Sequence, residues 1–410
     1  MIYKNRAASC SKRCFYVQRH YSRAKTSTVD ALLRANEQTV ILEDHAIARV
    51  DVSQLAANRP PEDFFSAAKC LSSNAHFFGV FDGHGGAGAA RQISSRLFDY
   101  MCAAVLQKHT VADIPLNERL QWLFASADHR LPSFVRDKHN MNVQEFYDRV
   151  KKDSTTTVRK AIQDAFNSLD RDISNGALPD SRGRVCRLSA NIASSGSCAV
   201  VSHIRRNHLH VANVGDSAAI LGFTSGRLLG ELYPLRAFSD VRYKWTSDVQ
   251  RVVLEPLGLG TPPPHLYTPP YLTANPEVFY HRLTTNDKFM VLASDGLWDW
   301  LEPETVIRLV ADHASGAQTL SLYEPPVERN LNEILSDLEK RKMGESKKPL
   351  DDNAATHVIR MALGGSNSGL EKQYERLQEI LQNYRDDITV IVITFNTEFL
   401  ASTATGDEQN

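Results

Sequence analysis

Six cysteines in 410 residues, none in a CxxC pair and none at framework spacing, leave neither a disulfide scaffold nor a cysteine zinc site. They read as reduced thiols of a cytosol- or matrix-like compartment. No apolar run exceeds strand length, so no transmembrane segment is expected. Neither sign of charge prevails: the formal net charge is −1, which removes the electrostatic case for a nucleic-acid partner. Several phosphate chemistries are missing as well. No cysteine is followed six positions later by arginine, so there is no cysteinyl-phosphate loop, and no GDxHG or GNHE segment marks a His-rich dinuclear site. No GxxxxGK[ST] loop is present to cradle a nucleotide triphosphate.

What is present begins with a basic, acid-free start. Lys4, Arg6, Lys12, Arg13, Arg19, Arg23 and Lys25 precede the first acid, Asp30, and Arg19-His20-Tyr21-Ser22 resembles a processing site. Residues 1–21 therefore read as a mitochondrial presequence cleaved after Tyr21, which predicts the mitochondrial matrix as location. Residues 22–34 read as a linker, 35–397 as one large domain, and 398–410 as a disordered tail.

Within the domain, Phe77-Phe78-Gly79-Val80-Phe81 reads as a buried strand ending in Asp82-Gly83-His84-Gly85-Gly86, a carboxylate and an imidazole on a glycine turn. The spacing predicts helices over 89–106, 120–127 and 158–173, a hairpin of 198–203 with 208–213, and helices over 302–311, 354–363 and 370–384. Residues 257–276 read as a proline-rich loop and 314–350 as a polar, mobile surface excursion. Asp170-Arg171-Asp172 closes a helix and reads as solvated charge. The β-branched run Ile388 to Phe395 predicts a last strand with acids at its entrance.

Four carboxylates, Asp82, Asp216, Asp295 and Asp386, each stand at a strand end, three of them beside a glycine. Any one alone is more often a turn residue. As a set they form an all-oxygen donor group suited to hard cations, Mg²⁺ or Mn²⁺, and two such ions would orient a water for phosphoester hydrolysis.

VFDGHGG, SSGSCAV, HVANVGDS, FMVLASDGLWD and RDDITVIV, in this order, resemble the metal-dependent, type 2C-like serine/threonine protein phosphatases. YPLRAFSDVRYKW, YTPPYLTANPEV and DNAATHVIRMAL are similar to the pyruvate dehydrogenase phosphatase branch of that family. The resemblance implies an α+β fold, two mostly antiparallel sheets packed as a sandwich between helices. It implies two metal ions held by Asp82, the Gly83 carbonyl, Glu62, Asp295 and Asp386, a weaker third by Asp216 and Asp299, and His84 as general acid. The implied substrate is phosphoserine on the pyruvate dehydrogenase E1α subunit, with docking on the lipoyl-bearing E2 core; another mitochondrial phosphoprotein, or a catalytically impaired binding form, are the alternatives.

Three departures from the pattern stand out. The phosphate-gripping arginine position holds Asn58, with Arg59 one residue away as the substitute. The glycine of RAxGD is Ser239, which is costly if the backbone there needs positive φ. Only Ala218 to Leu235 separates GDS from RAFSD, so an expected strand–helix segment after residue 222 is missing.

Overall fold

In the computed structural model the chain is described over residues 28–42, 46–105, 114–125, 133–152, 156–217, 234, 236–316, 330–342, 350–363 and 386–406. The presequence expected over 1–21, the helix expected over 370–384, and residues 218–233 of the short connection lie outside these.

Eleven strands and eleven α-helices are found among the described residues. The strands are β1 (Gln38–Ile41), β2 (Ile47–Leu55), β3 (Phe64–Cys70), β4 (His76–His84), β5 (Leu120–Ala125) and β6 (Gly196–Arg205). They continue with β7 (His208–Val214), β8 (Phe238–Ser239), β9 (Glu277–Arg282), β10 (Phe289–Ala293) and β11 (Ile388–Phe395). The helices are α1 (Thr28–Leu33), α2 (Gly88–Val105), α3 (Ser133–Val150), α4 (Val158–Ala177), α5 (Arg187–Ser194) and α6 (Ser247–Val253). After them come α7 (Asp295–Trp298), α8 (Pro303–Ser315), α9 (Leu331–Lys342), α10 (Ala354–Ala362) and α11 (Thr397–Gly406).

Two antiparallel sheets result, one in the order β1-β2-β11-β10 and one in the order β5-β3-β4-β6-β7-β9, with β8 added alongside β6. The two-residue period of the strands separates the layers. On β4, Phe78 and Val80 face the core between the sheets, while Phe77 and Phe81 face the helices. On β11, Ile391 and Ile393 turn inward, while Val390 and Val392 turn out to α8 and α10. Both strands are therefore apolar on each face, and the four layers are helix, sheet, sheet, helix. This is the α+β sandwich that the family motifs imply.

Several local readings are corrected. Residues 120–125 form an edge strand on β3, not a helix. Trp122 packs over Phe98 from one face of that strand, while Phe124 fills the inter-sheet core from the other. The fold begins before residue 35, because Leu33 is buried and Asp30 pairs with Arg360 at 2.8 Å. It also extends past residue 397: α11 docks Leu400 into the core between the sheets, so the expected disordered tail is helical through Gly406. The surface excursion of 314–350 contains the helix α9. Asp170 and Asp172 are not solvated. Asp170 accepts from Lys244 Nζ at 2.8 Å and from the Ser239 amide at 2.7 Å, and Asp172 bonds Tyr100 and Asn142. Burial holds the Asp172 carboxyl up at about 6, against the opposing pull of Arg96.

Candidate active site

Antiparallel pairing brings strand ends from both sheets to one edge. Asp82 lies near the end of β4, Asp216 just after β7 and Asp295 just after β10, whereas Glu62 precedes β3 and Asp386 precedes β11. One carboxylate oxygen from each of Asp82, Asp216 and Asp295 lies within 4.8 Å of the other two. The Asp295 amide and the Ser217 hydroxyl both approach Asp82 Oδ2, at 3.5 and 3.4 Å. Asp386 stands close enough for its charge to act on Glu62, Asp295 and Asp299. The structure thus brings the carboxylates named from the sequence into a single field.

That field is strongly acidic. Burial, then the charges of Asp63, Asp295 and Asp216, push the Asp82 carboxyl well above the ordinary range. Burial, then Asp216 and Asp386, lift Asp295 to about 7, although its hydrogen bond with Asp82 pulls the other way. Glu62 is raised by burial despite the hydrogen bond from the Gly86 amide, and Asp299 by burial and then Asp386. Among the described residues no lysine or arginine pairs with any of these acids, and Asp295 Oδ1 is buried without a hydrogen-bond partner. Uncompensated carboxylates of this kind fit a divalent cation, which would supply the missing positive charge and occupy the orphaned oxygen.

A second tier of residues, not picked out from the sequence, holds the first in place. Asp387, beside Asp386, is buried and accepts four backbone amides, from Ala57, Asn58, Glu62 and Asp63, at 2.5 to 3.1 Å. It thereby anchors the loop that carries Glu62. Asp63 Oδ2 in turn accepts the hydroxyls of Ser294 and Thr389, each at 2.7 Å. The signal for both was an acid pair, Glu62-Asp63 and Asp386-Asp387, in which one member turns to the frame. Gly83 lies against that loop: a Cβ there would stand 2.5 Å from the Glu62 carbonyl oxygen. Asn58 Nδ2 donates to Asp386 Oδ1 at 3.1 Å, so this residue steadies a carboxylate. Arg59 is exposed and makes no ion pair among the described residues.

His84, half-buried at the end of β4, holds Asp240 Oδ2 at 2.7 Å through Nε2. Burial lowers the imidazole pKa, but the hydrogen bond and charge of Asp240, with Asp216 and Glu62 behind them, outweigh it and leave His84 raised. Only glycine fits opposite this pair, since a Cβ on Gly196 would run into both Asp240 Oδ2 and His84 Nε2. Asp240 reaches His84 from a strained backbone: Ser239 and Asp240 have φ of +59° and +50°. The condition under which serine at this position is costly is therefore met. Trp298 is a core residue, its indole N–H donating to the Ala293 carbonyl at 3.1 Å.

A sandwich whose strand ends gather an all-oxygen acid cluster beside an imidazole is the arrangement of a metal-dependent phosphatase. The Protein phosphatase 2C family profile matches residues 102–223 and 222–323, two segments that meet at the short connection. Human pyruvate dehydrogenase phosphatase 2, mitochondrial, is 36% identical, the match covering 91% of this chain and 84% of that protein. The bovine pyruvate dehydrogenase phosphatase 1, mitochondrial, is 33% identical over 91% of this chain and 83% of its own. Among solved structures, a serine-threonine phosphatase 2C from Toxoplasma gondii aligns with a TM-score of 0.45 at 14% identity, covering 87% of this chain and 99% of that one. The chain belongs to the protein phosphatase 2C family.

Proposed function

We propose that this protein is a mitochondrial matrix phosphatase that hydrolyses phosphoserine on the E1α subunit of pyruvate dehydrogenase, and so returns that complex to activity. The observation that carries the reading is the meeting of Asp82, Asp216 and Asp295 in a chain whose relatives, over nine-tenths of its length, act on that complex. The basic start over 1–21 supports import and cleavage after Tyr21. Docking on the lipoyl-bearing E2 core is part of the same proposal.

Asp82, the Gly83 carbonyl, Glu62, Asp295 and Asp386 would hold two ions, Mg²⁺ or Mn²⁺, and Asp216 with Asp299 a weaker third. When bound, such ions supply a water of lowered pKa and offset the charge of the phosphoryl oxygens. The chain's own residues do the rest. Asp387 and Asp63 keep Glu62, Asp295 and Asp386 on one frame. His84 gives its Nε2 proton as a hydrogen bond to Asp240, which leaves Nδ1 to hand a proton to the departing serine oxygen. The raised pKa of His84 suits a proton donor near neutral pH. Arg59, exposed and without an ion pair among the described residues, is the candidate to meet substrate phosphate.

The test is manganese-dependent release of phosphate from phosphorylated E1α by the purified chain. Asp82→Asn should lower kcat by on the order of 100-fold or more, because it removes a charged ligand at the centre of the cluster. Unchanged turnover in that variant would refute the assignment of the site.

A further inference from the structure

The end of the molecule away from Asp82 carries a second polar concavity. The β3–β4 turn (71–75) and the two-residue turn Arg206-Asn207 between β6 and β7 enclose a cavity of about 280 Å³, closed on one side by Phe399 of α11. β4 spans the interval, with His76 lining the cavity and His84 at the acid cluster. At ~3.3 Å per residue, this strand separates the two places by roughly 25 Å.

Three features make this a built site. Arg205 Nε donates to the Ser73 carbonyl at 3.3 Å, so the two turns are tied together and move as one. Ser72, Ser73 and Asn74 line the cavity side by side from the β3–β4 turn. Arg206 is held at φ +53°, a conformation that suits asparagine or glycine, and its guanidinium has no ion pair or hydrogen bond among the described residues. The two-residue hairpin turn imposes that conformation, and Arg206 lines the cavity from it. No carboxylate lines the cavity among the described residues.

Two guanidinium groups, two serines and an amide side chain offer only a few acceptors and many donors, the complement of a multiply charged oxyanion. A phosphate takes more of these donors than a carboxylate can. The half-buried ring of Phe399 leaves an apolar wall for an organic body attached to that anion. We propose that this cavity is a binding site for a small phosphate-bearing anion of the pyrophosphate or nucleoside-diphosphate class, separate from the phosphatase centre.

Hydrogen–deuterium exchange of the full chain, with and without pyrophosphate or ADP, locates binding directly, and calorimetric titration gives its strength. Slowed exchange is expected over 70–76 and 204–208. Arg206→Asn removes the guanidinium yet tolerates the left-handed backbone, so it should fold, keep phosphatase turnover within about twofold, and bind at least about tenfold more weakly. The proposal is overturned if neither probe slows exchange at these turns, if protection is confined to 82–86 and 216–217, or if Arg206→Asn binds as tightly as the native chain. It is equally overturned if only an acidic or phosphorylated peptide protects the turns, because the occupant would then be a protein.

Discussion

Single residues at the acid cluster divide into those that face the reaction and those that hold the facing ones still. Asp386 and Asp387 are neighbours of the same type, yet one faces the cluster and the other is spent on four amides. Ser239 is the clearest case of a residue kept at a cost. It sits at φ +59°, and its buried hydroxyl has no hydrogen-bond partner among the described residues. Ser239→Gly should therefore stabilise the protein by about 1–2 kcal/mol, by relieving the left-handed strain and removing an unsatisfied hydroxyl. The measurement is the midpoint of urea unfolding, and a lower midpoint in the variant would show that the strain argument fails. The glycine turn, the strand-end acids and His84 were legible because each is announced by its immediate neighbours. Asp240 stands in the RAFSD segment, but its role was not legible, because its partner lies 156 positions away.

At the scale of elements, α10 shows what a family-specific segment does. Its sequence resembles other members of the branch, but its task appears only in three dimensions. Arg360, fully buried, forks onto Asp351 at 2.6 and 2.8 Å and reaches Asp30 of α1 at 2.8 Å, and Arg34 approaches the same Asp351 at 3.1 Å. This network clamps the first helix against the outer face of the smaller sheet. Buried ion pairs of this kind add little over an apolar substitute, but breaking one strands its partner. Arg360→Met strands the Asp30 carboxylate and leaves Asp351 with Arg34 alone, and should cost about 3 kcal/mol. Denaturant titration checks this, and a loss below about 1 kcal/mol would mean that water already reaches the carboxylates. The strands β4, β6, β10 and β11 were readable from their apolar runs. β1 to β3 were not: β1 is only four residues long, β2 alternates Arg49, Asp51 and Ser53 with Val50 and Val52 yet buries residues on both faces, and β3 carries the small residues Ser66, Ala67 and Ala68. β5 reads as one face of a helix because Leu120, Leu123 and Phe124 also fall at helical spacing; the open edge of β3 decides for strand.

The molecule as a whole carries neutral histidines in its interior. Burial, with His210, Arg205 and His208 adding to it, holds His203 down to about 3. Burial with His208 and Arg159 holds His210 to about 4, and burial with His313 holds His357 to about 4. An unfolded histidine titrates near ~6.5, so below that pH the unfolded chain takes up protons that the folded one refuses. Stability must then fall as pH drops from about 6.5 toward 4, by roughly 2 kcal/mol per histidine at pH 5. Comparing urea midpoints at about pH 7.5 and pH 5, His203→Phe should lose less on acidification than the native chain. An equal loss would show that His203 is protonated in the fold. The sequence by itself determined that this chain is a phosphatase-like sandwich with acids at its strand ends, because strand period, glycine turns and motif order are all local properties. Only the tertiary structure decided which acid of each pair faces the cluster, what steadies His84, and that the fold reaches past residues 35 and 397. Those outcomes depend on strand register and on contacts between residues more than 300 positions apart, and no short stretch of chain records them.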